Sequence, residues 1–411
     1  MLLAPLDRLD EILPARVRVV AARETPIPTI AVRARAAATR MPGLVRGDIG
    51  QVVGVDPSVE VLYGPPAGID ALRAGLAETW NRTFGLADGT VAGLPGGLTA
   101  DHVAVCTGAA EGLSLLFKCF AEDRTVALPR GHWENYTNGV EMAGGRAVTV
   151  DYFDARGALD ATGLARALRA EKVSALVANF PCNPTGAALS AEECQQLARV
   201  AEDTGVVLIA DEVYARLRYD GLPPVTMLKY APGHAVAVSS ASKEYLLPGA
   251  RVGFVLSARA YLTNVVMRKL IRANTASPGI LGQERLLGLV QAEVADLRAG
   301  REPALLGRIR GEMHRRRDAL VTVLARHGFS TVGRPNHGPA GTIFLMAALP
   351  GWWAGTDEEF VEAALEAGCV SAIPGAAFGL PGAIRLSYGA MSLEDITRLD
   401  GNLAAFQSSR V

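Results

Sequence analysis

The chain has 411 residues, with 41 basic against 42 acidic side chains and a net charge of −1. Near-neutrality excludes a global basic field for nucleic acid or an anionic membrane surface, and no apolar run reaches the roughly 18–20 residues of a membrane span. Apolar residues make up 49% and charged residues 20%, which suits a sizeable core in two or three domains at roughly 100–200 residues each.

Residues 1–60 are mixed in character. Asp7, Arg8, Asp10 and Glu11 interrupt what a secretory signal needs as an apolar run. Short apolar runs follow at His102–Cys106, Thr125–Leu128, Ala147–Val150, Ala175–Asn179, Val206–Ala210, Ala235–Ser239 and Val252–Leu256. Such runs predict strands buried on both faces, and so a mainly parallel sheet. Between them, Leu113, Leu116, Phe117 and Phe120 share one helical face. Ser190 and Glu193 form a capping box ahead of a helix over Cys194–Val200. Long helices are expected over Leu281–Leu297 and Leu305–His327.

The last hundred residues alternate again. Strands are expected at Thr342–Ala347, Val370–Ile373 and Ala383–Tyr388, and helices at Glu358–Ala367 and Leu393–Phe406. The expected fold is α/β: a large three-layer domain with a mainly parallel sheet over residues 58–295, and a smaller α+β domain built from 1–57 and 296–411.

Five cysteines (Cys106, Cys119, Cys182, Cys194 and Cys369) are scattered without a CxxC pair. That argues against a disulfide framework or a zinc knuckle, and for a reducing cytoplasm. Only five lysines are present: Lys118, Lys172, Lys229, Lys243 and Lys269.

Four clusters carry chemistry. In SSASKEYLLPGARVGF (239–254), Lys243 follows a buried strand, where partial desolvation favours a neutral, nucleophilic amine. Ser240, Ser242 and Arg251 offer donors suited to a phosphate. Taken alone, the cluster equally fits a solvated strand-end lysine. In LIADEVYARLRY (208–219), Asp211 sits at a strand's carboxyl end, where open α/β sheets bind ligands, with Tyr214 three residues on. A helix N-cap and a packing tyrosine fit the same residues. NFPCNPTG (179–186) presents Asn183 in a proline-rich turn, or is simply a turn. In VAVCTGAAEGLSLLF (103–117), Gly108, Ala109 and Ala110 let an anion approach a helix N-terminus, or allow tight packing. Trp133 and Tyr136 follow a strand and offer an aromatic face or fill a loop. Arg385 lies in an apolar strand and needs an anionic partner, from a substrate or from within the chain.

Together these residues describe a ligand with a ring N–H, a phenolic oxygen, a phosphate and an aldehyde. Over about residues 20–407 the chain resembles the fold-type I aminotransferases (class I/II, aspartate-aminotransferase-like), with the motifs in that family's order. The resemblance implies pyridoxal 5′-phosphate as cofactor and Lys243 as its covalent anchor. It implies Asp211 at the ring nitrogen and Tyr214 and Asn183 at the phenolic oxygen. Trp133 is then the residue stacked on the ring, and Gly108, Ala109, Ala110, Ser240, Ser242 and Arg251 surround the phosphate. Tyr63 matches a tyrosine that reaches the neighbouring site of a homodimer. Arg385 matches the clamp on the substrate carboxylate, with Asn183, Trp133 and Gly50 near the substrate. No metal is implied.

The Ala109–Ala110 pair departs from the family's frequent glycine or polar residues there. No second arginine is assignable to a distal substrate carboxylate. The FPCNPTG and ASKEYLLPGARVGF segments are also similar to capreomycidine synthase-like enzymes. The expected activity is transfer of an amino group between an L-amino acid and a 2-oxo acid in the cytoplasm. The alternative is elimination, cyclisation or carbon–carbon bond formation with the same cofactor. An effector-binding module of a transcription regulator is not favoured, because the first 60 residues show no basic recognition helix.

Overall fold

Seven strands make one sheet: β1 (Val103–Cys106), β2 (Thr125–Pro129), β3 (Arg146–Val150), β4 (Val173–Asn179), β5 (Val207–Asp211), β6 (Ala235–Ser240) and β7 (Gly253–Ser257). Their spatial order is β1-β7-β6-β5-β4-β2-β3. All pairings are parallel except those of β7, which runs antiparallel to both β6 and β1. Each expected apolar run becomes one of these strands, with ends moved by a residue or two. The computed structural model describes residues 4–23, 37, 39–41, 61–334 and 337–410, so Gly50 lies outside the described residues.

Helices of eight residues or more are α1 (Ala15–Ala22), α2 (Asp70–Phe84), α3 (Gly108–Phe120), α4 (Asn135–Met142), α5 (Ala161–Ala170), α6 (Ala191–Thr204), α7 (Arg268–Thr275), α8 (Ile280–Arg298), α9 (Ala304–Arg326), α10 (Asp357–Glu366) and α11 (Leu393–Ser408). Strand residues alternate between two apolar layers, which is why the runs carry almost no polar side chains. Val103, Val105, Leu208, Ala210, Ala235 and Ala237 pack with α2, α5, α6 and α8 on one face. Ala104, Cys106, Val207, Ile209, Val236 and Val238 pack with α3, α4 and α7 on the other. The capping box forms in both directions: Glu193 N–H donates to Ser190 Oγ at 3.2 Å, and Ser190 N–H to Glu193 Oε2 at 2.8 Å.

The second sheet is antiparallel, in the order β10-β11-β9-β8, from β8 (Ser330–Val332), β9 (Phe344–Ala348), β10 (Ile373–Pro374) and β11 (Ala383–Ser387). Leu345, Ala347, Ile384 and Leu386 share a separate core with α9, α10 and α11. Of the strand expected at Val370–Ile373 only Ile373 pairs, and the observed strand is Ile373–Pro374 against Ile384 and Arg385 of β11. Residues 330–332 carry no apolar run, and their strand was not foreseen.

The expected placement of the N-terminal residues needs one correction. Leu6, Leu9, Leu13, Val17 and Ala21 are buried in the same layer as Leu116, Phe117 and Ile271, on the large sheet's side. Leu6 N–H donates to Gly233 O at 3.2 Å, and Asp7 pairs with Arg259. Residues 5–22 therefore belong with the large domain, since their apolar stripe covers α3 and α7.

Candidate active site

The sheet register explains why residues far apart in sequence meet. Asn179 ends β4 directly beside Asp211, which ends β5, and Ser240 ends β6 on the same edge. β7 enters at that edge, so Gly253 pairs with both Ser240 and Cys106. This places Arg251, Ser240 and the start of α3 around one point.

Two glycines make that point approachable. A Cβ on Gly253 would sit 2.3 Å from the Gly108 carbonyl carbon and 2.4 Å from Ala109 N. Gly108 has φ +77°, and a Cβ there would meet Arg251 Nη2 at 2.5 Å. The first-turn amides of α3, at Gly108, Ala109 and Ala110, thus face Arg251 at the positive end of a 13-residue helix. Ser240 Oγ accepts from Ser242 N–H at 3.3 Å, closing the turn Ala241–Glu244 that carries Lys243.

Lys243 Nζ stands 5.9 Å from the ring centres of both Tyr214 and Phe344. Burial holds its amine below the usual lysine range, and Arg385 and Arg251 push in the same direction. Arg385 arrives from β11, its guanidinium 4.4 Å from the Phe344 ring centre and 4.8 Å from that of Phe378. Its Nη1 donates to Asn183 Oδ1 at 3.3 Å. Burial lowers its pKa, opposed by Tyr214 and Glu134. Among the described residues none of Lys243, Arg251 and Arg385 forms an ion pair with an acid, and Arg251 and Arg385 both act on the Lys243 amine, so the group is suited to bind an anion.

Asp211 is buried at the floor. Its Oδ2 accepts from the Tyr136 hydroxyl at 2.6 Å and its Oδ1 from Val213 N–H at 3.3 Å. Burial pushes its pKa up to about 6 against both donors. A carboxylate so placed, with no cation bonded to it among the described residues, suits a protonated pyridine nitrogen. The Asp211 carbonyl accepts from Asn179 Nδ2 at 2.9 Å, and Asn179 Oδ1 accepts from Asn183 N–H at 2.8 Å. Asn179 therefore sets the turn that carries Asn183, in which the Phe180–Pro181 and Asn183–Pro184 bonds are both cis. Trp133 is half-buried, edge-on to Tyr136 with ring centres 5.7 Å apart. Tyr214 is buried against Phe344, their rings 6.3 Å apart. Tyr63, by contrast, is 69% exposed.

Two members of this site escaped sequence reasoning. Tyr136 was an aromatic of undecided use, and nothing in its segment points to Asp211. Asn179 closes an apolar strand, and a polar residue in that place was the only available signal.

A parallel sheet with one reversed strand, a lysine past β6, a carboxylate at the end of β5 and an anion cradle at α3 define a fold-type I pyridoxal-phosphate enzyme. Residues 56–401 match the family model for aminotransferase class I and II, and the chain belongs to that family. It is 30% identical to the aspartate/prephenate aminotransferase of Thermus thermophilus over 79% of this chain and 78% of that protein. It is 27% identical to the aspartate aminotransferase of Geobacillus stearothermophilus, over 85% and 84%. The structure of the Thermus thermophilus aspartate aminotransferase with maleate superposes with a TM-score of 0.73 at 28% identity, covering 96% of this chain and 99% of that one. The protein is thus a pyridoxal-phosphate-dependent aminotransferase, and these relatives lend no support to the elimination or cyclisation alternative.

Proposed function

We propose that the chain moves an amino group between an L-amino acid and a 2-oxo acid at this site, with Lys243 as the anchoring amine. The observation that carries the reading is the convergence of three separate segments at the carboxyl edge of the large sheet: Asp211 at the end of β5, Lys243 and Arg251 between β6 and β7, and Arg385 from β11 of the second sheet. Gly108, Ala109, Ala110, Ser240, Ser242 and Arg251 would hold the phosphate. Asp211 would keep the ring nitrogen protonated, Tyr214 and Asn183 would donate to the ring oxygen, and Trp133 would lie against the ring. When bound, the cofactor supplies a cationic ring that accepts the electrons released as the substrate Cα loses its proton. Arg385 would grip the substrate carboxylate and so orient the Cα–H bond, with Asn183 and Trp133 beside it. Lys243 Nζ, kept low in basicity by burial, takes that proton and returns it.

Exposed Val61, Leu62, Tyr63 and Leu281 support a homodimer in which Tyr63 reaches the neighbouring phosphate. Gly64 lies against Ile280, which joins the two parts of this patch. In this reading residues 58–295 form the cofactor domain and 296–411 the smaller one. Five free cysteines suit a cytoplasmic setting.

The relatives' names make aspartate the first donor to try, beside neutral, aromatic and basic amino acids. A single turnover with ¹⁵N-labelled donor tests the reading. Release of the matching 2-oxo acid, with the label retained on the enzyme-bound cofactor, is expected. Free ammonia or a product of altered carbon skeleton from every donor would overturn it.

A further inference from the structure

One buried charge cluster lies outside the site just described. Arg216 is 3% exposed and ion-pairs with Glu244 (3%) and Glu293 (6%). Its Nε donates to Glu244 Oε2 at 2.7 Å, and its backbone N–H donates to Glu244 Oε1 at 2.9 Å. Nη1 donates to Glu293 on α8. The guanidinium also lies 5.3 Å from the Tyr245 ring centre.

The chain positions of these residues matter. Arg216 follows Tyr214 by two residues, and Glu244 follows Lys243 by one. The two bonds to Glu244 therefore join the segment carrying Asp211 and Tyr214 to the turn carrying Lys243. Glu293 joins both to α8. A buried arginine with two carboxylates is a weak source of stability, since apolar residues of similar volume commonly serve as well. A directional, bidentate tie does what an apolar contact cannot: it sets a separation.

We propose that Arg216 and Glu244 are positioning residues, which hold the Lys243 turn against the Tyr214 segment and so keep the Lys243 amine in its half-buried place. This rests on Lys243 being the cofactor anchor. Lys243 is otherwise faced by Arg385 from β11, Arg251 from the segment before β7, and the Tyr214 phenol. Loosening the turn lets water reach the amine and raises its basicity. Merely deleting a nearby negative charge would lower it.

The test uses holoenzyme of wild type, Glu244→Gln and Glu293→Gln. The visible absorbance of the bound cofactor is titrated with pH, and hydrogen exchange of the 241–247 segment is followed. Glu244→Gln is expected to raise the absorbance midpoint by about one unit. It should also speed exchange across 241–247, and cut kcat about tenfold with KM changed less than about threefold. Glu293→Gln, which breaks only the tie to α8, is expected to leave the midpoint within about a third of a unit while lowering Tm. An unchanged or lowered midpoint in Glu244→Gln, or an equal rise in Glu293→Gln, overturns the proposal. Should Glu244→Gln not fold, Arg216→Lys is held to the same criterion. Borohydride reduction and peptide mapping of wild type separate the two levels. Label on another lysine defeats the anchor assignment and this inference together, whereas label on Lys243 with an unmoved midpoint defeats this inference alone.

Discussion

Replacing Tyr136 by Phe removes one of two hydrogen bonds to the Asp211 carboxylate, the shorter at 2.6 Å. Burial already lifts Asp211 from 3.8 to about 6. A carboxyl raised by about two units gives the cofactor-free protein about 3 kcal/mol that is fully present below pH 4 and lost by about pH 6. The sign follows from proton counting: between those values the folded state keeps a proton that the unfolded state has released. A hydrogen bond to a charged acceptor contributes about 2 kcal/mol, so Tyr136→Phe raises Asp211 further, by one to two units. The variant's stability then continues to fall beyond pH 6. At pH 8 the cofactor-free variant is expected to be about 2 kcal/mol less stable than wild type. At pH 5, where both proteins hold the proton, the gap should close to about 1 kcal/mol or less. Glu212, whose pKa burial lifts to about 8, titrates in both proteins, so the difference between them is the readable quantity. Thermal melts of cofactor-free protein from pH 5 to 8 measure it, as a Tm gap growing to about 2–4 °C. A gap that is constant across this range would refute the reasoning.

Three further outcomes follow from the same geometry. Lys243→Ala should keep no visible absorbance from covalently held cofactor after gel filtration; a retained band would move the anchor to another of the five lysines. Arg385→Leu should lower kcat/KM for amino acid donors by at least about 30-fold, from the loss of a buried charge-assisted contact of about 2–5 kcal/mol. Its cofactor content, read by absorbance, should be unchanged. Gly253→Ala forces a Cβ to within 2.3 Å of the Gly108 backbone, and should cost about 1–3 kcal/mol of stability. It should also weaken pyridoxal-phosphate binding at least about tenfold, measured by equilibrium dialysis, because the α3 amides must shift away from the phosphate.

Much of the site was legible because its residues stand at the ends of readable strands. Asp211, Asn183 and Lys243 each follow an apolar run, and a parallel sheet gathers the carboxyl ends of such runs on one edge. Tyr136 was not legible as the partner of Asp211, since a hydroxyl 75 residues away leaves no local signature. Glu244 was not legible either: beside Lys243 it reads as an ordinary helical-turn acid until Arg216 is seen to bond it twice.

By itself, then, the sequence determined the number and burial of the large sheet's strands, the capping box at Ser190, and the positions of Asp211, Asn183 and Lys243 at or just past strand ends. Those follow from local pattern, in which periodicity and apolar runs record burial directly. Only the tertiary structure decided that β7 is reversed between β6 and β1, which brings Gly253 against Gly108. It alone placed residues 5–22 on the large domain, because a short amphipathic segment does not specify which apolar surface it covers. It alone tied Lys243 to Tyr214 through Arg216, because register and side-chain bonds between distant segments are settled when the chain packs.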